Sequence, residues 1–305
     1  MSFDIIGPEA EAHLDWATLC QALEAGHRLP RAEVGDTFLY RGNDTLLNRA
    51  AWIDGLGQLV KCATIFPGNA ALGKPSINGV VTLYNDKTGE LEALVDFHLV
   101  TKWKTAGDSL LSARRLARPD SREILLVGAG TVARSMVQAY SSAFHDARFT
   151  VWNRSPAAAR AMAASLPDVT ATEDLAAAVR KADIICTATM SQSPLIKGEW
   201  LRPGTHLDLI GAYRPDMREV DDEALRRASI YVDSRATTIE HIGELKDPIA
   251  RGVISDADVR ADFYDIAAGD YRRQSKTEIT LAKNGGGAHL DLMTAAYILA
   301  AWRMR

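Results

Sequence analysis

Cysteine is rare in this 305-residue sequence, and the common metal-binding and nucleophile motifs are missing from it. The three cysteines, Cys20, Cys62 and Cys186, lie far apart in apolar surroundings and form no C-x-x-C pair. This spacing predicts free, buried thiols. The sequence contains no H-E-x-x-H, G-x-S-x-G or Walker motif, and its seven histidines show no metal-ligand spacing. We therefore expect no metal site.

The sequence also lacks an excess of positive charge and any long apolar run. Its formal net charge is −4, so we expect no nucleic-acid or polyanion partner. No stretch approaches the ~18 apolar residues of a membrane span. The sequence from Met1 onward does not show the basic, apolar and small-residue succession of a signal peptide. We therefore expect a cytoplasmic protein that does not contact membranes.

A G-x-G-x-x-A turn is the most informative pattern that is present. The strand predicted over 123–127 is followed by Gly128, Gly130 and Ala133, where a helical pattern opens. Gly128 permits the tight turn, Gly130 lets the backbone approach a pyrophosphate, and Ala133 lets the helix pack close to the strand. This pattern predicts a dinucleotide-binding core, with cofactor contacts at Gly128, Ala129, Gly130, Thr131 and Val132.

The end of the next predicted strand, 148–152, indicates which dinucleotide is bound. An acidic residue there would hold the ribose hydroxyls of NAD, but the sequence has Asn153, Arg154 and Ser155. These donors suit the 2′-phosphate of NADP, so we predict NADP(H) as the preferred cofactor and NAD(H) as the alternative. A simpler interpretation is that Ser155 and Pro156 begin the next helix and Arg154 is a solvated surface charge. Both interpretations can hold together.

The remaining patterns predict an α/β chain with two domains. A Rossmann domain over 119–285 should contain a parallel sheet, because strands and helices alternate there. An α+β domain should combine 1–118 with 286–305, because short strands joined by turns suggest a mostly antiparallel or mixed sheet. The predicted strands are 37–40, 45–53, 58–66, 77–84, 92–95, 183–188, 206–210 and 230–232. The predicted helices are 15–26, 101–117, 173–180, 222–228 and 290–299, the last returning to the first domain.

Lys61 is an unusual cation, since it shares a predicted strand face with Leu59, Ala63 and Ile65. Burying an unpaired ammonium is costly, so an anion should meet it. Two alternatives are an edge strand whose lysine reaches water, or a pairing with a carboxylate of the same protein. Considered alone, Lys104 is most simply interpreted as an exposed lysine on a helix.

Seven segments of the sequence form an ordered set of motifs: 60–69, 86–94, 104–106, 127–130, 182–189, 203–207 and 211–221. Taken in this order, they resemble the ornithine cyclodeaminase and mu-crystallin family over nearly the whole chain. The resemblance implies a Rossmann domain joined to a dimerisation domain that also binds substrate, with the active site between them. It further implies a bound nicotinamide cofactor, small α-amino or α-imino acid substrates, and a homodimer.

Family positions carry over to individual residues of this sequence. Arg31, Lys61 and Lys104 would hold the substrate carboxylate, as charge-assisted bonds to an anion would offset the burial of Lys61. Lys104 stands where the family commonly has Arg. A planar guanidinium, which can donate two parallel hydrogen bonds to a carboxylate, is therefore replaced by a single ammonium. Tyr213 stands where true cyclodeaminases have Asp. Further cofactor contacts are expected at Thr187, Ala188, Thr189, Gly211 and Ala212.

Tyr213 in place of Asp weakens the cyclodeaminase interpretation, and the 211–221 segment with the cluster of Asn153, Arg154 and Ser155 resembles the ketimine reductase side of the family. We expect NADPH-dependent reduction of a small α-imino carboxylate, of the pyrroline-2-carboxylate or piperideine-2-carboxylate type, to the amino acid. Lys61 or Tyr213 would supply the proton. The alternatives are an alanine-dehydrogenase-like oxidoreductase, an ornithine cyclodeaminase that releases ammonia with bound NAD, and a binding protein without catalysis.

Overall fold

The chain divides into two compact units in a computed structural model that describes residues 3–305. One unit combines Met1–Lys104 with Gly287–Arg305, and the other is Thr105–Gly286. The sequence predicts a boundary between 118 and 119, whereas the division falls inside helix α2, Phe97–Leu116. The difference arises because this helix crosses the boundary without a break.

A mixed sheet forms the centre of the first unit. Within residues 3–305 this sheet has six strands in the order β1-β6-β5-β4-β3-β2. Neighbours from β2 to β6 are antiparallel, and β1 lies parallel to β6. The predicted mixed sheet is confirmed, although the short β1 was not predicted. The strands are β1 Asp4–Ile6, β2 Glu33–Arg41, β3 Asp44–Ile53, β4 Gly57–Ile65, β5 Ile77–Tyr84 and β6 Leu91–Asp96.

Two helices pack in the first unit as their sequences indicate. Helix α1, Trp16–Gly26, begins after the predicted cap Asp15, whose side chain accepts a hydrogen bond from the Thr18 amide at 2.8 Å. Its Leu19 is fully buried. Helix α9, Ala288–Arg303, is largely apolar and packs against α1 and strands β3 and β4. The first and last segments of the chain therefore share one core.

Helix α2 begins four residues earlier than the predicted 101. The Leu99 amide donates to Oδ1 of Asp96 at 2.7 Å, so an acidic cap directly follows β6. This early start places Phe97, Thr101 and Lys104 along one stretch of helix in the first unit.

The second unit has an all-parallel sheet, as the βαβ alternation predicts. In the part of the chain that the structure describes, this sheet has eight strands in the order β13-β12-β14-β11-β10-β7-β8-β9. The strands are β7 Glu123–Val127, β8 Arg148–Trp152, β9 Val169–Ala171, β10 Ile184–Thr187, β11 His206–Leu209, β12 Ser229–Val232, β13 Val259–Ala261 and β14 Thr280–Lys283. The helices are α3 Thr131–Ser141, α4 Pro156–Ser165, α5 Leu175–Lys181, α6 Asp222–Arg227, α7 Arg235–Thr238 and α8 Gly243–Ala250.

The strand order places a ligand site at one edge of this sheet. The order reverses between β7 and β10, and the carboxyl ends of parallel strands at such a reversal form a crevice that binds ligands. The G-x-G-x-x-A turn follows β7 directly. Strand β14 was not predicted, yet it lies between β11 and β12 and ends at the fully buried Lys283.

No helix among the described residues is long and apolar enough to span a membrane.

Candidate active site

The glycine turn has the geometry that a dinucleotide needs. Gly128 adopts φ +117, and a Cβ there would lie 2.6 Å from the Ala188 carbonyl oxygen, so only glycine fits. At Gly130 a Cβ would have no described heavy atom within 4 Å, so the turn is open on that side. Gly130 caps helix α3 without a side chain, and the first amides of the helix remain available to an anion. The residues present therefore fit a pyrophosphate.

A pocket of about 290 Å³ lies beside this turn. Seven predicted cofactor residues line it, together with Trp152, Met190, Ser191 and Leu195, which were not predicted. The pocket-lining residues include no carboxylate. The predicted residues are Gly128, Ala129, Gly130, Asn153, Arg154, Ala188 and Thr189.

The other predicted cofactor residues do not line this pocket. Thr131 and Val132 begin helix α3, and Thr187 is fully buried at the end of β10. Gly211 and the buried Ala212 follow β11.

The donors after β8 remain largely unused by the protein. Nδ2 of Asn153 donates to the Ser155 carbonyl at 3.1 Å. Ser155 occupies the cap position of α4, with Pro156 as the first helical residue, but its hydroxyl makes no capping hydrogen bond. Arg154 is exposed, and no carboxylate among residues 3–305 pairs with it. The helix start follows the simpler interpretation, while the Ser155 hydroxyl and the Arg154 guanidinium stay available to a ligand.

Glu219 connects the loops that follow β10 and β11. One carboxylate oxygen accepts hydrogen bonds from the amide and the hydroxyl of Thr189, and the other accepts them from the amides of Gly211 and Ala212. Glu219 is fully buried, and its own amide donates to Glu244 at 2.7 Å. Burial and the charge of Glu219 raise the pKa of Glu244 to about 7. Glu219 therefore fixes the loop that contains Gly211 and Ala212, although neither of these two residues lines the pocket.

Tyr213 follows this loop and is 57% exposed. Its ring lies 6.0 Å from the Arg214 guanidinium carbon. The structure therefore leaves its phenol accessible, and its role as a proton donor stays a prediction.

Lys61 lies in an interior strand of the first unit. Strand β4 is flanked by β3 and β5, so the edge-strand alternative is wrong. The ammonium lies 2.8 Å from Oδ1 of Asp291 and 2.9 Å from Oγ1 of Thr101. The Nζ atom of Lys61 lies 4.7 Å from the centroid of the Phe97 ring. The alternative of a carboxylate partner within the same protein is therefore what the structure shows, and Asp291 is that partner.

Further cations surround Lys61. Arg49 is directly opposite it on β3, and two facing like charges repel unless anions compensate for them. Burial is the main cause that lowers the pKa of Lys61, and the charges of Lys104 and Arg49 lower it further. Asp36 on β2 accepts hydrogen bonds from two nitrogens of Arg49, the shorter at 2.7 Å.

Arg31 is exposed and lies within electrostatic range of His27. Burial is the main cause that lowers the pKa of His27 to about 4, and the charge of Arg31 lowers it further. The His27 ring packs edge-on against His289 at 5.5 Å. Burial lowers the pKa of His289 well below its usual value, and Lys104 and Arg49 also contribute. The structure thus links Arg31 and Lys104 to the surroundings of Lys61 through two neutral histidines.

Sequence reasoning missed Asp291 and Arg49. Asp291 is the only acidic residue in the apolar helix α9, and such an isolated charge was the available signal. Arg49 faces Lys61 only once the register of β3 against β4 is known. No group of three or more His, Cys, Asp or Glu side chains among the described residues is arranged to hold a metal ion.

Comparisons with known proteins identify the family of this chain. The family model for the ornithine cyclodeaminase/mu-crystallin family matches residues 54–305. A Delta(1)-pyrroline-2-carboxylate reductase of Paracoccus denitrificans is 50% identical over 296 residues, which cover 95% of this chain and 94% of that protein.

Two solved structures share the whole architecture. The Thermococcus litoralis Delta(1)-pyrroline-2-carboxylate reductase, in complex with NADH and L-proline, is 26% identical with a TM-score of 0.89, covering 99% of this chain and 98% of that one. An archaeal alanine dehydrogenase dimer with bound NAD is 27% identical with a TM-score of 0.89, covering 100% of this chain and 97% of that one. The predicted fold, a Rossmann domain with an α+β domain, is confirmed. The chain belongs to the ornithine cyclodeaminase/mu-crystallin family.

Proposed function

We propose that this protein reduces a small cyclic α-imino carboxylate, such as Δ1-pyrroline-2-carboxylate, to the corresponding amino acid with NADPH. The observation that carries the proposal is the group of three cations, Lys61, Arg49 and Lys104, for which the described residues supply two carboxylates, the buried Asp291 and the exposed Asp36. Such a group favours a bound carboxylate. The 50% identity to a reductase of this class supports the choice of substrate.

Substrate binding falls to the first unit. Lys61 has three N–H donors, of which Thr101 and Asp291 accept two, so one remains for the substrate carboxylate. Lys104 adds positive charge from α2, and Arg31 adds it from the segment before β2. Together they fix the orientation of the C=N group, and a fixed orientation lowers the barrier to reduction.

Cofactor binding falls to the second unit. The open side of Gly130 and the first turn of α3 would hold the pyrophosphate, and Arg154 with Ser155 would hold the 2′-phosphate of NADP. A nicotinamide cofactor, when bound, supplies the hydride. The free Arg154 and the unused Ser155 hydroxyl support NADPH over NADH. Lys61 or Tyr213 would deliver the proton to the imine nitrogen.

The proposal includes a homodimer. Strand β2 forms an edge of the six-stranded sheet among the described residues, and all nine of its residues are exposed. Phe38, Leu39 and Tyr40 expose 45%, 57% and 72% of their surface there. An edge strand with an exposed run of large apolar side chains is a pairing surface that monomers usually avoid. The related alanine dehydrogenase is a dimer.

The free cysteines support a reducing, cytoplasmic location.

Amino-acid oxidation is a second candidate function, because the archaeal alanine dehydrogenase shares the whole architecture. The same cations would hold the carboxylate of alanine, bound NAD would accept the hydride from Cα, and the imine formed would react with water to give pyruvate and ammonia.

A substrate panel tests the proposal. Purified protein is assayed for NADPH and NADH oxidation with Δ1-pyrroline-2-carboxylate, Δ1-piperideine-2-carboxylate, and pyruvate with ammonia or methylamine. We expect the fastest turnover with a cyclic imine and NADPH. Faster turnover with pyruvate and ammonia would favour the second candidate. Ammonia release from ornithine with catalytic NAD, and no imine reduction, would show that the protein is a cyclodeaminase.

A further inference from the structure

The ammonium of Lys61 depends on one carboxylate for its charge balance. Its side chain is 12% exposed, and the side chain of Asp291 is 2% exposed. Among the described residues, Asp291 is the only carboxylate that forms an ion pair with Lys61. Thr101 contributes a neutral hydroxyl, and Phe97 contributes the face of its ring. A buried pair of this kind leaves an uncompensated charge when one partner is removed.

The elements around Lys61 contribute charges of both signs. Arg49 faces Lys61 from β3 and is itself paired with Asp36 of β2, Lys104 acts from α2, and Val81 is the cross-strand neighbour on β5. Burial, Lys104 and Arg49 all lower the pKa of Lys61, and Asp291 on α9 opposes them. Without that carboxylate, burial and the charges of Lys104 and Arg49 would together favour a neutral amine.

The location of Asp291 suits this role. It lies in the first turn of α9, where the helix dipole favours negative charge. Helix α9 packs against β4, the strand that carries Lys61. The carboxylate is therefore held by two elements of the same unit, and its distance to the ammonium does not depend on an exposed loop.

We propose that Asp291 is a positioning residue, which keeps Lys61 protonated and directs its remaining N–H toward the substrate carboxylate. This inference rests on the proposed function for the identity of the substrate. It separates two tasks: Lys61 touches the substrate, and Asp291 acts through Lys61. Removal of Asp291 should then weaken substrate binding most strongly at alkaline pH, where the lysine loses its proton.

Chemical labelling measures the charge state of Lys61 without any substrate. The protein is treated with acetic anhydride across a pH series, and acetylation of the Lys61 peptide is quantified by mass spectrometry. In Asp291→Asn we expect the titration midpoint of Lys61 to fall by about one pH unit or more. Asp54→Asn, which removes an exposed carboxylate in the turn before β4, should leave the midpoint unchanged. An unchanged midpoint in folded Asp291→Asn would overturn the proposal.

Steady-state kinetics then separate the effect of the Asp291 charge from the effect of the position of its carboxylate. Asp291→Asn should raise KM for Δ1-pyrroline-2-carboxylate, with the rise beginning about one pH unit lower than in wild type. Asp291→Glu keeps the charge but moves the carboxylate, so it should retain the labelling midpoint and raise KM at every pH. If Asp291→Asn does not fold, an Asp291→Glu variant with wild-type KM contradicts the proposal.

The two assays distinguish the possible failures. A wild type that reduces no imine, but whose Lys61 midpoint responds to Asp291→Asn, would contradict the proposed function and support the pairing. An active wild type whose midpoint does not respond would retain the function and remove the role of Asp291.

Discussion

Glu219 and Thr189 are joined by two hydrogen bonds to the same carboxylate oxygen, from the Thr189 amide at 2.9 Å and from its hydroxyl at 2.7 Å. The second carboxylate oxygen accepts from the amides of Gly211 and Ala212 at 2.8 and 3.1 Å. One buried side chain thus fixes the loops after two neighbouring strands of the parallel sheet. Thr189 itself lines the pocket beside the glycine turn.

Replacing Glu219 by glutamine should weaken cofactor binding. A glutamine amide nitrogen cannot accept hydrogen bonds, so at least one set of loop donors would lose its partner. We expect the dissociation constant for NADPH, measured by fluorescence titration, to rise about tenfold, which corresponds to about 1.4 kcal/mol. Glu223→Gln is the matched control, because that side chain is 51% exposed and lies outside the pocket. Wild-type affinity in a folded Glu219→Gln variant would show that the loops do not need this brace.

Arg154→Asp should change the preference between cofactors. The substitution replaces a free guanidinium with a carboxylate, which would repel a 2′-phosphate and accept the ribose hydroxyls of NAD. We expect the ratio of kcat/KM with NADPH to that with NADH to fall by about 100-fold, or about 2.7 kcal/mol. Lys276→Asp makes the same change in charge at an exposed loop position and should keep the wild-type ratio. An unchanged ratio in Arg154→Asp would leave Arg154 as a solvated surface charge.

Stability should fall in mild acid because of His27. Its pKa is lowered from 6.5 to about 4, mainly by burial, so the native state holds the neutral ring while the unfolded state takes up a proton. The contribution of the neutral His27 ring to the free energy of unfolding is fully present above about pH 6.5 and is lost as the pH falls toward 4. The total effect is about 3 kcal/mol.

Denaturant unfolding across this pH range measures the effect. The free energy of unfolding of His27→Gln should decline less between pH 6.5 and 4 than that of wild type. His145→Gln changes an exposed histidine and should follow the wild-type curve. Parallel curves for wild type and His27→Gln would contradict the assignment of this acid sensitivity to His27.

Leu39→Lys should separate the proposed dimer. The lysine would place a charge in the middle of the exposed edge strand β2, where burial against a second copy would be costly. Light scattering after size-exclusion chromatography should give the mass of a monomer. Ile5→Lys is the control, because Ile5 is 71% exposed on β1 at the opposite edge of the same sheet. A dimeric Leu39→Lys variant would place the interface elsewhere.

The sequence predicts local structure well where one signal is sufficient. The strand over 123–127 with its glycine turn, and helix α1 with its cap Asp15, lie where the patterns place them. Lys61 stands out because strand alternation puts a cation on an apolar face. These features depend on neighbours within a few residues, so periodicity and capping preferences are enough.

Other features need the folded chain. Asp291 meets Lys61 across 230 positions, and no local pattern encodes that pairing. Strand β14 is only four residues long and ends in Lys283, whose ammonium donates hydrogen bonds to the carbonyl oxygens of Leu209 and Asn284, both at 2.7 Å. A lysine argues against a central strand until those carbonyls are in place. Tertiary partners, rather than propensity, decide both cases.

Transfer of deuterium from the cofactor to the product tests the central claim most directly. The protein is incubated with Δ1-pyrroline-2-carboxylate and NADPH that carries deuterium at one or the other face of the nicotinamide C4, and the proline formed is analysed by mass spectrometry. The account predicts that one of the two labelled cofactors, and not the other, gives proline with one deuterium at Cα. No proline, or proline without deuterium from either labelled cofactor, would contradict it.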